Sequence, residues 1–179
     1  MNDGMRQSEK FLYPAPDEAI CLALWKQYHT PEPVMAHCQR VAEEARKLGE
    51  ELNGSRCSLD LKLITGAALV HDLMKGQKNH GEEAAKVLEE EGYMEIADVV
   101  RQHHELREEK IDEAAVVYLA DKWIRGVDKI SLEERFALSL TKCRNSVQAM
   151  EAHDRRQHQA EQVETLILKQ IGRRRNEAY

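Results

Sequence analysis

One segment decides the fold of this chain: LKLITGAALVHDLMKG, residues 61–76. Its first ten residues are mostly apolar around the circumference of a helix, which is typical of a central, buried helix. His71 and Asp72 follow at the C-terminal end, and Gly76 ends the helix. The segment therefore predicts a helical core that carries a histidine and an aspartate at its buried end.

Helix signals continue on both sides of this segment. Asp17 is a predicted N-cap, and Thr30-Pro31 begins a second helix with an apolar stripe. Ser58 is the predicted cap of the central helix, and Ser131 begins a capping box further along. Other helices are expected over about residues 80–91, around 96–100, up to 120 and from about 146 to 171. We predict an all-α fold, a single-domain bundle of about seven to eight helices.

The chain has 179 residues, which is enough to bury one core and too few for two ordinary domains. We predict a lead-in over residues 1–16, a helical metal-binding domain over 17–145, and a C-terminal helix with a basic tail over 146–179. That last helix is expected to pack on the domain or to form a homodimer seam.

The charge of the chain limits its partners. Although 32% of the residues are charged, the net charge is -6, which argues against nucleic-acid binding because that needs clustered Lys and Arg. No apolar run approaches the roughly 20 residues that span a bilayer, and the four cysteines show no paired spacing. We expect a cytoplasmic protein with reduced thiols and with neither a nucleic-acid nor a membrane partner.

Two aspartates and several histidines lie at or beside the ends of apolar helices. Asp72 and Asp121 each follow a strongly hydrophobic segment, where an unpaired carboxylate is costly to bury and a cation removes that cost. For either one alone, a Lys or Arg partner is the alternative, just as a lone buried histidine is usually hydrogen-bonded. Together they predict a divalent metal site, and imidazole with carboxylate suits Mn, Fe, Co, Ni, Zn or Mg. The histidines concerned are His37, His71, His80, His103 and His104, whereas His29, His153 and His158 are expected at the surface.

The order His37, His71-Asp72, Asp121 resembles the signature of the HD superfamily, whose members are helical metal-dependent phosphohydrolases acting on nucleotides and other phosphate esters. The flanking sequences HCQRVA (37–42), LVHDLMK (69–75) and YLADK (118–122) resemble the family's motifs. The resemblance implies that these four residues are metal ligands. It also implies a catalytic role for Asp72 and for Lys75, which follows the doublet as the family's lysine does.

Some members of that family carry extra histidines between the doublet and the last aspartate and hold a second ion. His80 and the pair His103-His104 stand at those places, so the resemblance implies one or two divalent ions, with Asp72 as the bridge. Whether both paired histidines are ligands stays open. His103 aligns better with the form that has one histidine, and His104 would then lie behind the ligands or face the substrate.

Two subgroups resemble this pattern. The cyclic-di-GMP phosphodiesterases are excluded, because residues 106–110 stand where their Gly-Tyr-Pro motif is expected. The small HD proteins that hydrolyse diadenosine tetraphosphate agree better in size, in the His-Gly at His80 and in the Ala-Asp-Lys around Asp121. They differ from this chain after His103, so the predicted substrate is no narrower than a nucleotide or a related small phosphate ester.

Four cations near the motifs are predicted to bind the substrate phosphate: Lys75, Arg40, Lys122 and Arg125. As alternatives, Arg40 pairs with Glu44 and Lys122 is a solvated helix residue. The predicted reaction is hydrolysis by metal-activated water. The alternatives are a catalytically weak, metal-containing module that senses a nucleotide, and a metal-free helical interaction protein.

Overall fold

The computed structural model describes residue 13, residues 15–144 and residues 146–174. In this part of the chain the prediction of an all-α fold with about seven to eight helices is confirmed. The helices are α1 (Glu18–Gln27), α2 (Glu32–Gly54), α3 (Leu61–Val70), α4 (His80–Glu90), α5 (Met94–Arg101), α6 (Glu113–Trp123), α7 (Leu132–Cys143) and α8 (Val147–Gln170). The domain limits drawn from the sequence stay a prediction. Most of the lead-in and the end of the basic tail lie outside the described residues.

A short hairpin, which the sequence analysis did not predict, follows α6. Strand β1 (Ile124–Arg125) pairs antiparallel with β2 (Asp128–Lys129). Gly126 allows the tight turn between them, since its φ of +61° lies in the region that favours glycine. Two-residue strands are too short to show an alternation of apolar and polar side chains, so the sequence pattern cannot predict them.

The caps predicted at Asp17 and Ser131 are confirmed, and Ser146 caps α8 although no cap was predicted there. The side chains of Asp17, Ser131 and Ser146 each accept a hydrogen bond from a first-turn amide. The prediction of Ser58 as the cap of α3 is wrong. Asp60 is the cap, and its carboxylate accepts from the amides of the second and third residues that follow it, at 2.8 and 3.1 Å. Asn53 binds both backbone groups of residue 59, which holds the preceding turn and delays the helix start.

Helix α3 lies at the centre and packs against α1, α2, α5 and α6. Its residues Ile64, Ala67, Ala68 and Val70 are fully buried, as the apolar circumference predicts. Helix α6 is buried along its whole length from Ala114 onward. The two helices therefore carry the residues at their C-terminal ends, His71-Asp72 and Asp121, into the interior.

Helix α8 packs on α7 and on the end of α6. The indole Nε1 of Trp123 donates a 2.9 Å hydrogen bond to the buried carboxylate of Glu164. The expectation that His153 lies at the surface is wrong: it is buried, and its Nε2 donates to the carbonyl of Phe136 at 3.0 Å. Charged neighbours on the outer side of α8 mask this inner position in the sequence. In the part of the chain that the structure describes, none of the helices combines the length and apolar character needed to cross a membrane.

Candidate metal centre

Three helices bring the first group of polar residues together. His37 lies on α2, His71 and Asp72 follow α3, and Asp121 lies near the end of α6. The Nε2 atoms of His37 and His71 lie 3.2 and 3.6 Å from Asp121 Oδ1. Asp72 Oδ2 lies 3.7 Å from His71 Nε2 and 4.0 Å from His37 Nε2. We call these four residues the first cluster; the ligand atoms of His37, His71 and Asp72 all lie within 4.8 Å of one another and could hold a metal ion.

A second group lies on the other side of the same aspartate. His80 begins α4, and His103 and His104 follow α5. Asp72 Oδ1 lies 3.0 Å from His80 Nε2 and 3.6 Å from His103 Nε2. His104 Nε2 lies 2.9 Å from His80 Nε2. These three histidines, which we call the second cluster, also have ligand atoms within 4.8 Å of one another. Asp72 therefore turns one oxygen to each cluster.

Backbone carbonyls fix the orientation of three imidazoles. Nδ1 of His71 donates to Ala68 O at 2.7 Å, and Nδ1 of His103 donates to Val100 O at 2.6 Å. Nδ1 of His37 lies 2.9 Å from the carbonyl of Gly126 in the hairpin turn. A neutral imidazole that donates from Nδ1 carries its lone pair on Nε2. Metal-ligating histidines are held by such outer hydrogen bonds.

The Nε2 lone pairs of two of these imidazoles face the lone pairs of carboxylate oxygens. The buried Nε2 atoms of His71 and His103 have no hydrogen-bond partner among the described residues. Carboxylate oxygens of Asp72 and Asp121 lie opposite them at 3.6–3.7 Å. Lone pairs of nitrogen and oxygen repel each other unless a proton or a cation stands between them. The donor set therefore fits a divalent cation.

The protonation states of Asp72, Asp121 and His103 agree with this interpretation. His71 differs: burial alone would lower its pKa, but Cys38 and Asp121 outweigh that effect and raise the pKa well above its ordinary value. Burial alone would raise the pKa of Asp121, but Lys122 and then His37 hold that pKa well below its usual value. Burial likewise opposes ionisation of Asp72, whereas the neighbouring His80 and His71 lower its pKa below the usual range. Burial lowers the pKa of His103 well below its ordinary value. Ionised carboxylates beside a neutral imidazole are the forms that bind metal ions.

Two of the four predicted phosphate-binding cations lie at an open cleft of ≈ 280 Å³ beside the clusters. The Lys75 ammonium is 2.8 Å from Asp72 Oδ2, and its side chain is 45% exposed, so it can also meet a ligand. Arg125 is exposed on the hairpin and lines the same cleft. Their role toward phosphate stays a prediction.

The other two cations are engaged with the protein. Lys122 is buried instead of solvated, and its ammonium donates to Asp121 Oδ2 at 2.8 Å and to the carbonyl of His103 at 2.9 Å. Arg40 pairs with Glu43 at 3.2 Å and with Glu44 at 3.6 Å, which agrees with the alternative stated for it. Lys122 thus stabilises the ionised form of Asp121. Its two hydrogen bonds connect Asp121 of the first cluster with His103 of the second.

Two residues at the site escaped the sequence analysis. Arg135, on α7, lines the cleft and lies 3.8 Å from Asp121 Oδ2. Gly81 lies against the second cluster, where an added Cβ would come within 2.7 Å of His103 Cε1. Arg135 stands among other charged helix residues and gives no sequence signal. The His-Gly dipeptide at residues 80–81 was visible, but its packing against an imidazole 22 positions later was not.

Comparison with known families agrees with the geometry. The family model described as HD domain matches residues 34–126, just over half of the chain. The matched segment begins three residues before His37 and ends in the hairpin turn, so it contains both clusters. No solved structure gives a significant match.

Proposed function

This chain belongs to the HD domain family, and on that premise we propose that it is a metal-dependent phosphohydrolase acting on a nucleotide or a related small phosphate ester. HD domains form a superfamily of metal-dependent phosphohydrolases. The substrate and the two-ion arrangement are our proposal, as is the similarity to the members that hydrolyse diadenosine tetraphosphate.

The observation that carries the proposal is the position of Asp72 between the clusters. Its Oδ2 lies 3.7 Å from the buried Nε2 of His71, which follows α3, and its Oδ1 lies 3.6 Å from the buried Nε2 of His103, which follows α5. In the proposed enzyme, the first cluster would hold one divalent ion and the second cluster another, and Asp72 would be a ligand common to both. The ligands would be His37, His71, Asp72 and Asp121 for the first ion, and Asp72, His80 and His103, joined by His104, for the second. When bound, such ions lower the pKa of a water molecule and polarise a phosphoryl oxygen.

The residues of the chain prepare the site for an anion. Lys75 lies at the cleft with its side chain partly exposed, so it can offset the charge of a phosphate group beside Asp72. Lys122 keeps Asp121 ionised. The proposed reaction adds water across a phosphorus–oxygen bond: the hydroxyl goes to phosphorus, and the leaving oxygen takes the proton.

The test compares Asp72→Ala with Asp98→Asn, a control that neutralises a half-buried aspartate outside both clusters. Protein purified without added ions is analysed for metal content. It is then assayed with phosphomonoesters, dinucleoside polyphosphates and cyclic nucleotides. We expect stoichiometric metal and turnover of at least one substrate in the wild type and in the control, and loss of both in Asp72→Ala, because neither cluster keeps its shared carboxylate.

The outcomes separate the competing functions. Absence of bound metal from the wild type would overturn the proposal in favour of a metal-free interaction protein. Bound metal without turnover, together with ligand-dependent thermal stabilisation, would replace it by a nucleotide-sensing module.

A further inference from the structure

Arg135 belongs to the cleft, although it lies nine residues beyond the segment matched by the family model. It stands in the first turn of α7, directly after the hairpin. Its Nη1 donates a 2.6 Å hydrogen bond to the carbonyl of Ile124, the first residue of that hairpin. Among the described residues, this carbonyl is the one hydrogen-bond acceptor of the Arg135 side chain. A guanidinium carries five N–H donors, so donors remain available on a side chain that is 27% exposed.

The position of Arg135 relative to Asp121 indicates where an anion would lie. Asp121 turns Oδ1 to the imidazoles of the first cluster and Oδ2 away from them. Arg135 Nη2 approaches Oδ2, at 3.8 Å. Lys75, by contrast, pairs with Asp72 through the oxygen that faces the first cluster. The two cations therefore serve different carboxylates.

We propose that Arg135 binds a second anionic group of the substrate, a phosphate next to the one that is hydrolysed. Lys75 stands beside the hydrolysed phosphate, and Arg135 holds its neighbour on the Asp121 side of the cleft. Substrates with two or more linked phosphates are thereby preferred over monoesters. The inference rests on the proposed function, since it specifies the substrate of that site.

The anchoring hydrogen bond explains why arginine suits this position. A guanidinium can donate to the Ile124 carbonyl from one side and grip two phosphate oxygens from the other. A lysine ammonium is a point charge without this fork, so it cannot donate well to the Ile124 carbonyl and to a phosphate at the same time. Arg135→Lys should therefore recover only part of the affinity that Arg135→Gln loses.

The experiment measures binding of inorganic pyrophosphate and of inorganic phosphate to the manganese-loaded protein by calorimetry. The variants are Arg135→Gln, Arg135→Lys and the control Lys142→Gln, which removes one exposed charge from the same helix. In Arg135→Gln we expect pyrophosphate affinity to fall about 10- to 100-fold and phosphate affinity about threefold or less. The control should match the wild type. If Arg135→Gln does not fold, Arg135→Lys alone is expected to lower the ratio of the two affinities at least about fivefold.

A purely structural role would give a different result. If Arg135 only anchors α7 to the hairpin, the melting temperature falls and both affinities change by the same factor, which overturns the proposal. A wild type without preference for pyrophosphate also overturns it. The proposed function can fail separately: pyrophosphate binding that depends on Arg135 without turnover of any substrate would retain this anion site and remove the enzyme.

Discussion

Replacing Gly81 by alanine tests the second cluster with one added methyl group. The new Cβ would lie 2.7 Å from His103 Cε1 and 3.1 Å from His103 Nδ1. Ordinary contact begins near 3.4 Å, so the imidazole has to retreat by about 0.7 Å, the difference between 3.4 and 2.7 Å. The distances from a metal ion to its ligands tolerate only about 0.2 Å. We therefore expect the variant to lose the second ion and to keep the first.

The ring has little freedom to make this retreat. His103 is buried, its Nδ1 is bound to Val100, and its own carbonyl accepts from Lys122. Overpacking of this kind costs about 1–3 kcal/mol. Alanine recovers about 0.5–1 kcal/mol of backbone entropy in a helix. The net expectation is a destabilisation of at most about 2.5 kcal/mol.

Gly54→Ala is the matched control, because a Cβ at that helical position meets nothing within 4 Å among the described residues. Metal content per chain and urea unfolding are measured on both variants. We expect Gly81→Ala to bind one ion fewer than the wild type, and the control to bind as many as the wild type with equal or slightly higher stability. Full metal content in Gly81→Ala would refute the role assigned to His103.

Three further outcomes are expected. His103→Ala should lower the metal content more than His104→Ala, because His103 alone of the two is buried with Nδ1 bound to a carbonyl; equal losses in metal analysis would contradict this. Burial raises the pKa of Cys21 to about 12 from its ordinary 9.0, so its neutral thiol stabilises the fold fully below pH 9 and loses that contribution as the pH rises toward 12. Relative to Cys21→Ala, the free energy of unfolding of the wild type should fall by about 1.4 kcal/mol per pH unit in that range. If urea unfolding gives the same pH dependence for both proteins, the prediction is refuted. Trp123→Phe should cost about 1–3 kcal/mol because the buried Glu164 carboxylate loses an N–H donor; an unchanged urea midpoint would show that the bond contributes nothing.

The helices could be predicted where one chemical pattern dominates. Helices α3 and α6 are apolar on most sides, so the sequence alone indicates that they are buried and that the polar residues at their ends enter the interior. Caps such as Ser131 follow from a local hydrogen bond. Ser58 failed because Asp60, two residues later, offers a stronger acceptor directly before the helix.

The cations of the site could not be assigned from the sequence, because their partners are set by packing between helices. Lys122 follows Asp121 on a helix that is buried all round, so its ammonium is buried as well and pairs with the carboxylate beside it. Arg135 reaches the cleft because the hairpin turns the chain back toward α2 and α6. Nothing in its own neighbourhood signals this, and a two-residue strand has no period to detect.

The burial of Asp72 links the fold to the chemistry. An ionised carboxylate that is 2% exposed is costly unless cations or donors surround it. Lys75 supplies a positive charge 2.8 Å from Asp72, and Lys122 supplies one 2.8 Å from Asp121. The Nδ1 hydrogens of the His71 and His103 imidazoles, however, point away toward backbone carbonyls. The carbonyls of Ala68 and Val100 thus prevent the imidazoles from compensating the carboxylates with Nδ1 protons. The most hydrophobic helices therefore bury a group of lone pairs, and the divalent ions that we propose at this site would compensate the repulsion between them.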